Sequence, residues 1–315
     1  MRVAANGLAI EVDDRGPAAG EPLLLVMGLG MQLLGWPDEL LAALAARGLR
    51  PIRFDNRDTG LSQGFDHLGV PNLPAAMLRW MLRLPVPAPY RLADMAADAL
   101  GVLDALGIGR AHVCGASMGG MIAQHLAAHH PDRVASLTLM MTTSGSPRLP
   151  QPAMHVRRAL LGRPRSKDPA GSVAYLERLL HVIGSPGYRP DPLRQRERLQ
   201  AFVARAWRPA GTARQLLAIA ADGDRTPMLR QIRAPTAIIH GRADPLVPPA
   251  WHTASGARGS ASSPAWGTTC RWSCCRASPT RSQGSRGVRG VPSRAAREST
   301  RVALAPQRRA DDGVD

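Results

Sequence analysis

Lysine is almost missing from this sequence: of its 40 basic residues only Lys167 is a lysine, and the rest are arginine. That bias suggests a GC-rich genome and weakens any functional reading of the formal charge of +16. From Thr253 onward, 11 arginines stand against Glu298, Asp311, Asp312 and Asp315, which leaves +7 of the excess on that stretch. Aromatic residues make up only 4% and do not interleave with the arginines, so no nucleic-acid surface is expected. Cysteine is limited to Cys114 and a cluster at Cys270, Cys274 and Cys275, whose spacing fits no zinc pattern. No metal site is expected, and Cys114 reads as a small buried hydrophobe. Long apolar runs are lacking too: the longest, Leu23 to Trp36, is broken by glycines and too short to cross a bilayer. Met1 to Gly16 carries Glu11, Asp13 and Asp14 in place of an apolar core, so the expectation is no signal peptide, no membrane partner and a cytoplasmic location.

What the sequence does contain centres on Ala111-His112-Val113-Cys114-Gly115-Ala116-Ser117-Met118-Gly119-Gly120, an apolar strand running into a Gly-x-Ser-x-Gly turn and then a helix. A serine hydroxyl attacks a carbonyl only when it is lifted clear of its neighbours and set near a base, and a tight strand-to-helix turn does the lifting. Gly115 and Gly119 flank it because side chains there would collide as the backbone bends back. The helix from Met118 to the stop at His130-Pro131 points its first amides at the place where an oxyanion forms. The competing explanation is a glycine-rich turn with an incidental serine.

The rest of the chain supplies a frame. Met1 to Asp13 suggests an edge hairpin turning at Asn6-Gly7. Leu23 to Met27 is a continuous apolar run, the pattern of a strand buried on both faces, and it ends at Gly28-Leu29-Gly30. That turn assigns the oxyanion hole to the backbone N–H groups of Leu29 and Met118, the alternative being a plain exit from the strand. A helix is expected over Pro37 to Ala46, a strand over Pro51 to Phe54, and then a polar turn, Asp55 to Gly60, tied down by Arg57 and the carboxylates. Gly64 to Pro89 reads as a proline-rich loop holding a short apolar piece, Met77 to Leu84. Leu92 to Leu106 is a crossover helix and Val134 to Met141 a buried strand. From Ser144 to Ile232 the alternation of strand and helix lapses into Arg-rich helical pieces, Ser172 to Ile183, Pro192 to Ala206 and Thr212 to Ala221, read as an inserted cap. His155, His181, Trp207 and Met228 are candidates for pocket lining, with packing the better explanation of each. Pro235 to Gly241 resumes the sheet, and Asp244 follows it on a loop. There the order Ser, Asp, His requires the acid, unless Asp244 is a solvated turn residue. His240 is expected to end its strand rather than act as a base.

In Met27-Gly28-Leu29-Gly30, Asn56-Arg57-Asp58-Thr59-Gly60-Leu61-Ser62, Gly115 to Gly120 and His240-Gly241-Arg242-Ala243-Asp244-Pro245, the chain resembles the α/β-hydrolase fold family over residues 20–250. Its small-ester branch of methylesterases and haloperoxidase-like esterases is the nearest likeness. The resemblance implies a mostly parallel sheet flanked by helices with an inserted helical cap, Ser117 as nucleophile, Asp244 as acid, Leu29 and Met118 as oxyanion donors, no cofactor, and a small-molecule ester as substrate. The expected division is 1–143 and 233–253 for the two parts of the core, 144–232 for the cap and 254–315 for a disordered tail.

The family pattern also calls for one more strand, a Gly-His turn bearing the base, and a closing helix after the acid. The only histidine beyond Asp244 is His252, eight positions on, and Ser255 to Arg309 is rich in Ser, Gly and Arg without periodicity. The codons suggest why. Joining the last base of each codon to the first two of the next, with GC-favouring choices, Ala261 to Arg276 re-reads as Val-Val-Pro-Gly-Met-Gly-His-Asp-Leu-Pro-Val-Glu-Leu-Leu-Pro. A shift of reading frame near Thr253 to Gly256 is therefore expected, with the final strand, base and helix lost and turnover impaired. The rival functions are an inactive binding protein or pseudogene product, and hydrolysis of a carbon–carbon bond in a β-diketone.

Overall fold

Leu23-Leu24-Leu25-Val26 has no polar residue to turn toward water, and it forms the middle of a sheet. In the computed structural model, which describes residues 1–249 except 163, 165 and 167, and the backbone of a strand at Ser260–Ser263, eight strands form that sheet. They are β1 (Arg2–Ala5), β2 (Leu8–Asp14), β3 (Glu21–Val26), β4 (Leu49–Phe54), β5 (Ala111–Ala116), β6 (Val134–Met140), β7 (Thr236–Gly241) and β8 (Ser260–Ser263). Their order across the sheet is β1-β2-β4-β3-β5-β6-β7-β8; β2 runs antiparallel to both its neighbours, β1 and β4, and β3 to β8 are parallel.

The pleat sends alternate side chains to opposite faces. Leu24 and Val26 enter one apolar layer with Met95, Val102, Leu103, Ile122 and Leu126, which belong to α3 (Leu92–Ala105) and α4 (Met118–His129). Leu23 and Leu25 enter the other, with Trp36, Cys114, Met140 and Leu41 of α1 (Asp38–Ala45). Cys114 is buried there, its Sγ 3.7 Å from Met140 Sδ.

The piece from Met77 to Leu84, read as part of a loop, begins inside a helix, α2 (Leu73–Met81), and leaves it at Leu82. The Asn72 side chain caps it by accepting from the Ala75 N–H, and Pro74 fits its first turn. Between β6 and β7 come α5 (Met154–Leu160), α6 (Pro169–Ile183), α7 (Pro192–Arg205), α8 (Pro209–Asp222) and α9 (Thr226–Leu229). α6 and α7 each start at a proline preceded by an aspartate cap, Asp168 to Gly171 N–H and Asp191 to Arg194 N–H, and they share a cluster of Val173, Leu176, Leu199, Phe202 and Val203. No helix among the described residues is long and apolar enough to cross a membrane.

The sequence predicts no strand after Gly241, and here the structure differs. Ser260–Ser263 pairs parallel with β7, in register from Ile238↔Ser260 to Gly241↔Ser263. A ladder is made by backbone N–H and C=O groups, which every residue but proline carries in full, so an Ala/Ser segment can pair beside the open edge of β7 without apolar side chains. The expected loss of the closing helix, His252 and nearly all of the tail at 254–315 lie outside the described residues.

Candidate active site

Because β3, β5, β6 and β7 run parallel, the loops after them gather at one edge of the sheet. β5 leaves at Ala116, opposite Met140, and the chain reverses at Ser117 into α4. Ser117 holds φ 54°, ψ −118°, a backbone region that residues with a Cβ rarely adopt. Its N–H donates to Met140 C=O, and its C=O accepts from the N–H groups of Gly120 and Met121 and from the Thr142 hydroxyl at 2.7 Å. A Cβ on Gly115 would fall on the Gly119 carbonyl, and one on Gly119 on the Val26 carbonyl, so the bend closes only with both glycines. From Val113 to Ala128 every residue is buried except Ser117. The bend therefore leaves Ser117 partly open while its chain neighbours are buried.

Beside it lies the loop after β3. A Cβ built on Gly28 would sit 3.2 Å from Ser117 Cβ and 3.8 Å from its Oγ, which puts the turn Gly28-Leu29-Gly30 against Ser117. Met31 N–H donates to Gly28 C=O and Gly30 N–H to Gln215 Oε1 at 2.8 Å, whereas the Leu29 N–H meets no acceptor among the described residues. Met118 is the first residue of α4, where an N–H has no partner within the helix.

Asp244 lies on the turn after β7, two strands from β5 and so about 10 Å across the sheet. It is buried, and its Oδ1 accepts from the N–H groups of Leu246 and Val247 at 2.9 and 2.8 Å. His240, the penultimate residue of β7, is buried, with Nε2 2.7 Å from Val247 C=O and 3.5 Å from Asp244 Oδ2. None of the described histidines hydrogen-bonds to Ser117. Ser117, Leu29, Met118 and Asp244 thus share one edge of the sheet.

A second set of residues holds this edge together, and sequence reasoning missed most of it. Arg57 ties the polar turn down as expected, pairing with Asp98 of α3 at 2.6 Å. Burial pushes the Asp98 carboxyl up, and the hydrogen bond from Arg57 only partly offsets it. Asp55 and Asp58, however, turn to the inserted helices. Asp55 accepts from Arg205 of α7 at 2.7 Å, and Asp58 takes both arms of Arg214 of α8 at 2.8 and 2.7 Å and the Tyr90 hydroxyl at 2.8 Å. Burial raises the Asp58 carboxyl, but the bonds from Arg214, the Phe65 N–H and Tyr90 outweigh it and hold the group below the usual aspartate range. Gln32 donates to Phe202 and Ala206 C=O, and Gln215 donates to Arg57 C=O and Thr59 Oγ1, each at 2.7 Å in the latter case. The contacts to the inserted helices join residues 150 or more positions apart, so no local pattern announces them. Of the four residues named for pocket lining, Trp207 packs edge-on against Phe202 and flanks a shallow cavity with Gly30, Thr59 and Thr212, whereas His155 and His181 are exposed and Met228 is half-buried.

Residues 21–258 match the family model described as alpha/beta hydrolase fold. The chain is 39% identical over 126 residues to rhodomycin D methylesterase DauP of Streptomyces sp. (strain C5), a match covering 40% of this chain and 36% of that protein. It is 30% identical over 233 residues to a putative carbamate hydrolase, RutD, of Pantoea ananatis, covering 73% of this chain and 74% of that one. The match to the first relatives therefore spans only about a third to a half of their length. Among solved structures, the enol-lactonase from Burkholderia xenovorans LB400 superposes with a TM-score of 0.64 at 26% identity, over 84% of this chain and 92% of that one. The chain belongs to the alpha/beta hydrolase fold family.

Proposed function

We propose that the site is that of a serine hydrolase acting on a small carboxylic ester through an acyl-enzyme. The observation that carries this reading is the position of Ser117, the one residue left partly open in the buried run from Val113 to Ala128, on a backbone bend that costs about 1–3 kcal/mol to hold. Ser117 Oγ attacks the acyl carbon, and the N–H groups of Leu29 and Met118 receive the oxygen as it becomes an anion. Asp244 orients the histidine that takes the proton from Ser117 and returns it to the leaving alcohol; water then repeats the cycle on the acyl-enzyme. No cofactor enters any step. A methylesterase and an enol-lactonase among the relatives support the ester as substrate class, since a lactone is an internal ester.

The base is the incomplete part. In the shifted frame the segment after Asp244 supplies a Gly-His turn, and this reading places the base there. An inactive, substrate-binding descendant is the second reading, favoured because no described histidine bonds to Ser117. Hydrolysis of p-nitrophenyl acetate by this chain, by its Ser117→Ala variant and by the frame-restored chain tests both readings. Expected are slow Ser117-dependent hydrolysis in this chain and a rise of about 10⁴- to 10⁶-fold on restoring the frame. A restored chain no faster than its Ser117→Ala variant would leave the inactive reading standing.

A further inference from the structure

Two loops meet the first turns of α8. Gly211 approaches the polar turn so closely that a Cβ on it would fall on the Asp58 carbonyl, and Thr212 faces Gly30, where a Cβ would sit 2.6 Å from the threonine Oγ1. Between these contacts stands Gln215, with no exposure to solvent. Its Oε1 accepts the Gly30 N–H at 2.8 Å, and its Nε2 donates to Arg57 C=O and to Thr59 Oγ1, both at 2.7 Å. One amide thus takes an N–H from the loop beside Ser117 and gives both its own N–H bonds to the polar turn. No other side-chain type of this length offers an acceptor at one corner and two donors at the other.

We propose that Gln215 is a positioning residue of the oxyanion hole. This inference rests on the reading of Ser117 as nucleophile and the Leu29 N–H as an oxyanion donor. The two peptide N–H groups of Leu29 and Gly30 are consecutive, and Gly30 is at φ +65°. Anchoring the Gly30 N–H on the Gln215 carbonyl fixes the rotation of this short turn and leaves the Leu29 N–H as the one directed at the reacting carbonyl. The inserted helices then act on the chemical step through a hydrogen bond, besides any part they play in holding substrate. A donor displaced by a fraction of an ångström stabilises the anion less while substrate binding, which precedes the charge, is little changed.

The test compares Gln215→Met and Gln215→Glu with the unaltered full chain. Methionine keeps length, volume and helix propensity but gives the Gly30 N–H only a weak acceptor, whereas glutamate keeps a strong acceptor and loses both donors. The readouts are the Ser117-dependent kcat and KM for p-nitrophenyl acetate, and the preference for this ester over its thionoacetate, in which sulfur replaces the carbonyl oxygen. Sulfur is larger and a weaker acceptor, so a preorganised pair of N–H donors discriminates against it. Gln215→Met is expected to lower kcat about 10- to 100-fold at unchanged KM and to shrink the oxygen-over-sulfur preference, while Gln215→Glu retains that preference. Thr59→Ala, which removes one bond of Gln215 without touching Gly30, is expected to keep the preference as well. An unchanged preference in a folded Gln215→Met, or loss of the preference in Thr59→Ala and Gln215→Met alike, would overturn the inference and reduce Gln215 to a structural tie. Hydrolysis undiminished by Ser117→Ala would instead overturn the reading of the site, and the inference with it.

Discussion

At the scale of single residues, the chain holds a serine where a glycine would be more comfortable. Ser117 sits at φ 54°, ψ −118°, and glycine reaches such angles with no Cβ to crowd the turn. Ser117→Gly is therefore expected to raise stability by roughly 1–2 kcal/mol while removing Ser117-dependent hydrolysis, as checked by urea denaturation alongside an ester assay. A mutant less stable than the parent would show that the hydroxyl contributes more to the bend than the bend costs. The bend was legible because its sterics act over five consecutive residues: Gly115 and Gly119 must lack a Cβ, and the spacing records that. Gln215 was not legible. Nothing near it in sequence indicates that this position of α8, 185 residues from Gly30, is the one that meets it.

At the scale of elements, the turn from Asp55 to Gly60 joins the sheet to the helices inserted after β6. Arg57 faces inward to α3, but the carboxylates of Asp55 and Asp58 are answered by Arg205 and Arg214. Both members of the Asp58–Arg214 pair are buried, so removing one leaves an uncompensated charge. Asp58→Asn is expected to cost about 3–5 kcal/mol by chemical denaturation. Asp38→Asn removes an exposed carboxylate from Arg53, which keeps Asp13, and should cost no more than about 1 kcal/mol. The sign with pH follows from the lowered Asp58. Its contribution is present above the usual aspartate pKa and is lost as pH falls through the lower value of the folded state. Asp222, held down by His125 and Arg225 against the opposing effect of burial, acts in the same sense. Asp98, raised by burial, acts in the opposite one and loses stability as pH rises past the usual value. Urea midpoints measured from pH 7 down to pH 3 should therefore fall less steeply in Asp58→Asn than in the parent. The sequence made the turn readable as a polar knot, and the charge count of the inserted helices pointed at arginine, but which arginine meets which carboxylate is decided by the fold.

At the scale of the whole molecule, the parallel order of β3, β5, β6 and β7 brings the residues after Val26, Ala116 and Gly241 to one edge. This much was legible because strands buried on both faces read as unbroken apolar runs, and a parallel sheet puts all its carboxyl ends together. The last strand escaped, since Ser260–Ser263 carries no apolar run and pairs through its backbone alone. In the shifted frame the same stretch, from Ala261, reads Val-Val-Pro ahead of the Gly-His turn to which the proposed base belongs. The proposal that Ser117 is the nucleophile is tested by a fluorophosphonate probe, which forms a stable bond to an activated serine, with the adduct located by peptide mass spectrometry in this chain and in the frame-restored one. A single adduct is expected on the peptide bearing Ser117, forming far faster once the frame is restored. An adduct on another serine, or a restored chain that stays unmodified, would contradict the proposal.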